Sequence, residues 1–81
     1  MNYTYLIKSK IKEWVYIGST KDLVKRFSEH NNGKVRSTKG LIPFELIYYE
    51  AYQTYHLARK REVELKKQGQ QKEILFNRLG L

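Results

Sequence analysis

Cysteine is absent from the 81-residue chain, which excludes a disulfide framework and any thiolate metal site. That composition suits a reducing compartment, and the expected location is the cytoplasm. Proline occurs once, at Pro43, and no proline-, glycine- or serine-rich linker divides the sequence. One domain over residues 1–81 is therefore expected. No apolar run approaches the roughly 20 residues that a membrane-spanning helix needs. The opening stretch MNYTYLIKSK lacks the basic-then-apolar order of a secretory signal, so neither membrane nor export is expected. A Walker-type glycine loop, a zinc-spaced histidine set and a Ser-His-Asp arrangement are missing as well.

Acid is scarce. Eight Asp and Glu stand against 16 Lys and Arg, a net charge of +8. On a domain this small, that imbalance speaks of a partner rather than of a fold. Nucleic acid leads the candidates, because lysine and arginine contacts to phosphates release counterions. An anionic membrane surface or an acidic protein fits the charge less specifically, and a plain basic surface remains open. Seven tyrosines accompany the charge. Aromatic and basic residues together can stack bases and grip a backbone, though tyrosine is also an ordinary strand residue.

Residues 3–8, rich in β-formers, read as a strand, and residues 14–18, WVYIG, read as its returning partner in a hairpin. Thr20 reads as the N-cap of a helix over KDLVKRFSEHNN, with Asp22 in its first turn. Leu23 and Phe27 share a face of that helix with Val24 beside them, and Asn31, Asn32 and Gly33 supply its stop. A basic loop, GKVRSTKGLIP, leads to a third strand over 44–51. Thr54 reads as the cap of a second helix to about Lys67, with Ala58, Glu62 and Leu65 on one side. Gln68 and Gly69 end it, and a short third helix over 70–78 follows, with Ile74 and Leu75 inward. The expected fold is α+β, in the order β-β-α-β-α-α: a three-stranded mixed sheet flanked by helices.

Four groupings of residues could carry chemistry. Tyr5 and Tyr16 lie on strands joined by a short connection, so their phenols can be neighbours. A phenol is a poor base until cations lower its pKa from about 10. Arg26 and His30 are four apart on the first helix, pairing a planar phosphate-binding fork with a side chain that shuttles protons near neutral pH. Glu62 sits on the small-residue side of its helix, where a partly buried carboxylate needs a cation. That cation can be a magnesium ion or simply Arg59 or Lys66. Lys34, Arg36, Ser37, Thr38 and Lys39 sit on a loop that can follow a phosphate backbone. Each grouping alone also reads as ordinary structure: packed tyrosines, a solvated helix face, a salt bridge, a plain loop. His56 follows a cap and carries no role.

Together these residues form a kit for phosphodiester cleavage, and their order is similar to that of the GIY-YIG nuclease superfamily, in particular its small stand-alone bacterial members. The first motif stands as Tyr3-Thr4-Tyr5, with its glycine and isoleucine replaced and the closing tyrosine kept. The second stands intact as Tyr16-Ile17-Gly18. The family's helix arginine matches Arg26, the nearby histidine of many members matches His30, and the glutamate preceded by an alanine matches Glu62 after Ala58. The resemblance runs from about Tyr3 to Lys67 and implies one divalent metal, magnesium or manganese, held by Glu62. It implies that Tyr5 orients or deprotonates the attacking water, with Tyr16 supporting it or touching the phosphate. Arg26 would stabilise the phosphoryl charge, and His30 would assist proton transfer or position Tyr5. The implied activity is metal-dependent hydrolysis of DNA, branched and single-stranded forms included, in repair or processing. Gly18, Lys34, Arg36, Ser37 and Lys39 are the expected nucleic-acid contacts. A nucleic-acid-binding module with little or no catalysis is the alternative. Many family nucleases also place a C-terminal asparagine in the site, and Asn77 is the only late asparagine here.

Overall fold

The computed structural model describes residues 1–81. Strands β1 (Asn2–Ser9) and β2 (Val15–Thr20) form the N-terminal hairpin, and helix α1 (Leu23–Asn31) follows. A single 3-10 turn (Lys39–Leu41) precedes strand β3 (Phe44–Tyr52). Helices α2 (Tyr55–Lys67) and α3 (Gly69–Leu79) complete the chain. The expected order of elements is the observed one, and the fold is α+β.

The sheet runs β2-β1-β3 and is antiparallel throughout, not mixed. After β2, the chain crosses through α1 and starts β3 in the direction of β2, as a parallel crossover would. But β3 settles on the far side of β1, so the two like-directed strands never touch. The apolar run of β1 explains the choice. Thr4, Tyr5, Leu6 and Ile7 are all buried, which requires cover on both faces and a strand on each side.

Alternation along β1 divides the interior in two. On one face Tyr5 and Ile7 pack with Phe44 against Leu23 and Phe27 of α1. On the other, Leu6 and Ile17 pack with Leu65 of α2 and Leu75 of α3. The inward side of α2 is formed by Ala58, Glu62 and Leu65, as the spacing predicts. The small Ala58 lets that helix lie close to the sheet, where Thr4 Oγ1 donates to the Ala58 carbonyl at 2.7 Å.

Three local expectations need correction. Asp22, not Thr20, caps α1: its side chain accepts from the Lys25 N–H at 3.1 Å. Thr20 ends β2 and accepts from the Asp22 N–H at 3.1 Å, which fixes the turn before the cap. Val24 is 82% exposed and lies off the buried face of α1. Ile74 is 48% exposed, so α3 anchors itself through Leu75 and the partly buried Phe76 and Leu79. Thr54 caps α2 as expected, accepting from the Leu57 N–H.

Candidate active site at the β2 edge

The site forms around β2, one of the two edge strands of the sheet. Tyr5, Tyr16 and Gly18 lie on the α1 face, whereas Ser19 lies on the α2 face, because neighbours along a strand point oppositely. Side chains from both helices therefore meet at β2.

Tyr5 pairs directly across the strands with Gly18. A Cβ on Gly18 would stand 2.5 Å from the Tyr5 hydroxyl and 2.9 Å from Cε2 of Tyr16. The missing side chain is thus space for the Tyr5 ring, which reaches from the central strand over Gly18 toward the edge. On this face the room above Gly18 is filled by the Tyr5 ring.

The Tyr5 hydroxyl lies 2.7 Å from His30 Nε2, and His30 Nδ1 lies 2.9 Å from Thr38 Oγ1. Thr38 in turn donates to the Val35 carbonyl at 3.4 Å. With that proton committed, the Thr38 oxygen accepts from Nδ1–H, and Nε2 accepts from the phenol. The assignment leaves His30 neutral. Burial does the same electrostatically: His30 has 0% exposure, and its pKa is pushed down to about 4, with the Arg26 charge adding to the effect and Glu29 opposing it. Burial likewise raises the Tyr5 phenol well above the ordinary tyrosine value, although the neighbouring Arg26 guanidinium pulls it back in part.

Tyr16 is half-buried, its ring 5.0 Å from that of His30 and 6.3 Å from that of Tyr5. Of the two phenols it is the more open, since Tyr5 is only 1% exposed. Arg26 is partly exposed and shares one nitrogen with Glu29 Oε1 at 3.3 Å. It also lines a groove of about 450 Å³ with Ser19, Thr20, Lys21, Asp22, Lys25, Glu29 and Tyr55.

Glu62 enters from α2. Ser19 Oγ donates to its Oε1 at 2.5 Å, Arg59 Nη1 lies 3.2 Å from Oε1, and Lys66 Nζ lies 2.6 Å from Oε2. Burial alone would raise this carboxyl; Lys66, Ser19 and Arg59 outweigh it and hold the pKa below the usual carboxylate range. Glu62 is therefore ionised near neutrality. One ionised carboxylate is enough protein for a magnesium-type ion, with water and substrate phosphate completing the shell. The donor chemistry fits such an ion. Two cations of the chain already share those oxygens.

The structure thus gathers Tyr5, Tyr16, Arg26 and His30 into one cluster, with Glu62 close enough that its charge acts on the Tyr5 phenol. The basic loop is tied on behind it. Val35 and Thr38 are buried, and Thr38 meets His30 on the side away from Tyr5. Lys34, Arg36, Ser37 and Lys39 are exposed. Asn77 is exposed in the last turns of α3. Sequence reasoning gave no role to Ser19, Lys21, Lys25 or Tyr55, and read Thr38 only as a loop hydroxyl. The one available signal was Ser19, adjacent to Gly18 and one residue out of phase with Tyr16.

Residues 1–74 match the family model described as the GIY-YIG catalytic domain. A UPF0213 protein of Clostridium perfringens is 41% identical over 68 residues, which cover 83% of this chain and 72% of that protein. One of Staphylococcus saprophyticus is 39% identical over 74 residues, 90% of this chain and 89% of that protein. The solution NMR structure of a UPF0213 protein from Bacillus halodurans aligns with a TM-score of 0.54 at 29% identity, covering 93% of this chain and 83% of that one.

Proposed function

The chain belongs to the GIY-YIG family, and from that membership we propose that it is a divalent-metal-dependent endonuclease acting on DNA, in repair or processing. The observation that carries the reading is the convergence of an ionised Glu62, a charged Arg26 and two phenols on one edge of a basic domain. The groove beside Arg26, with Lys21 and Lys25, offers cations to a backbone on either side of the reacting phosphate. No helix is long and apolar enough to cross a membrane.

In this mechanism Glu62 would hold the metal, magnesium or manganese, with Ser19 fixing the carboxylate through Oε1. The ion, when bound, supplies Lewis-acid stabilisation of the phosphoryl oxygens. Arg26 binds a non-bridging oxygen and neutralises charge that grows in the transition state. Tyr16 meets the attacking water, because it is the phenol with access to solvent. Tyr5 stands behind it, its proton held by His30 Nε2, and fixes the geometry of the cluster. His30, neutral and anchored by Thr38, accepts the Tyr5 hydrogen bond and positions that phenol. The proton released by the attacking water passes to solvent beside Tyr16, and the leaving oxygen takes one from solvent. The exposed Lys34, Arg36, Ser37 and Lys39 bind the backbone farther along the strand.

A second reading has its own support. The cations already seated on Glu62 suit a module that binds nucleic acid and cleaves it weakly or not at all. Incubation with duplex, single-stranded and branched DNA, with magnesium, manganese or EDTA, separates the two. Cleavage that needs the metal supports the nuclease. Folded protein that binds all three DNA forms and cuts none of them favours the module.

A further inference from the structure

Glu62 and Lys66 form an i,i+4 pair, an arrangement common on helix surfaces. This pair is not a surface pair. The Glu62 side chain is 8% exposed and that of Lys66 is 43% exposed. The buried partner is pinned by Ser19, while the exposed partner has room to leave. Lys66 also has a second neighbour: its ammonium lies 5.4 Å from the centroid of the Tyr16 ring. One cation therefore neighbours both the carboxylate read as the metal ligand and the ring of the phenol read as meeting the attacking water.

A hard divalent ion needs carboxylate lone pairs that a close ammonium is using, and the two positive charges repel. A phosphodiester entering beside Tyr16 offers that ammonium another anion, within the reach of its flexible four-carbon stem. We infer that Lys66 is an exchangeable cation: it sits on Glu62 while the site holds no nucleic acid, and passes to a backbone phosphate when a strand binds. Metal and nucleic acid then bind cooperatively, and each raises the affinity of the other by the same factor. Arg59, at 3.2 Å from Oε1 and 53% exposed, follows the same rule more weakly. The inference rests on the reading of Glu62 as the metal ligand, and it turns the crowding of that carboxylate into a condition for loading.

Manganese binding, read from the paramagnetic resonance signal of the free ion, tests it in the full-length chain. Wild type is compared with Lys66→Met, Lys66→Gln, Glu62→Gln, and Lys67→Met as a control for lost charge alone. Each is titrated without and with a short DNA duplex, and the Glu62→Gln titration corrects for manganese held by DNA itself. Without DNA, both Lys66 variants should bind manganese about tenfold more tightly than wild type, and Lys67→Met within about twofold of it. DNA should tighten binding by wild type and leave the Lys66 variants nearly unchanged. Equal affinities for wild type and both Lys66 variants, all weakened by Glu62→Gln, overturn the exchange and leave Glu62 a ligand. Affinities indifferent to Glu62→Gln, absent binding included, overturn the inference and the reading beneath it.

Discussion

Lowering the pH from 7 to 5 should cost the fold about 2 kcal/mol through His30 alone. The ring is buried among Tyr5 of β1, Tyr16 of β2, Phe44 of β3 and Thr38 of the loop, with Arg26 and Glu29 on its own helix. Burial comes first in lowering its pKa from 6.5 to about 4, then the Arg26 charge, while Glu29 opposes both. The unfolded chain therefore takes up a proton that the folded chain refuses. Stability is full above the unfolded value and falls as the pH drops from about 6.5 toward about 4. Integrating over pH 7 to 5 gives the stated loss, equivalent to a melting point lower by about 8–16 °C for a domain of this size. Glu50 and Glu62 have lowered pKa values and give up their stabilisation only at more acid pH, below the ordinary carboxylate value of 4.5, so they stay out of this window. Urea denaturation followed by circular dichroism at pH 7, 6 and 5 measures the slope, with His30→Gln as the comparison. A loss under about 0.5 kcal/mol, or an equal slope in His30→Gln, would refute the reasoning.

The hydrogen-bond chain and the basic surface yield further expectations. Gly18→Ala forces the buried Tyr5 ring off its seat and should cost about 1–3 kcal/mol, with a change in the His30 NMR resonances. An unchanged urea midpoint would mean that the ring is not pinned there. Thr38→Val removes the acceptor of His30 Nδ1–H and should cost about 1–3 kcal/mol; nitrogen NMR of the imidazole should then lose its single Nδ1–H tautomer. DNA affinity should fall linearly with salt on logarithmic axes, and replacing Lys34, Arg36 and Lys39 together by alanine should flatten the slope by about 3. A slope untouched by that triple replacement would remove the loop from the interface.

Much of this arrangement could be read before the chain was folded, and the misses have physical causes. Runs of β-forming residues placed β1 and β2, and helical spacing placed α1 and α2, the latter through its one buried stripe of Ala58, Glu62 and Leu65. The order and direction of β3 were hidden, since a chain returning through α1 can settle beside β2 or on the far side of β1. Thr20 and Asp22 both have capping side chains, and only the turn geometry assigns the cap to Asp22. At the site, the motif residues were legible as types, but their exposure was not. Tyr5 looked like the reactive phenol, whereas the room over Gly18 lets it sink out of contact with solvent. The link from Thr38 to His30 spans a loop and has no spacing rule, so a residue grouped with the phosphate contacts became the anchor of the imidazole.

The central claim is that Glu62 and Arg26 act on one phosphodiester at the β2 edge. Single-turnover cleavage of DNA in magnesium or manganese, by wild type, Glu62→Gln and Arg26→Ala, tests it most directly. The account predicts cleavage by wild type and a fall of at least about a hundredfold in each variant, with circular dichroism unchanged. Undiminished cleavage in both variants would contradict it.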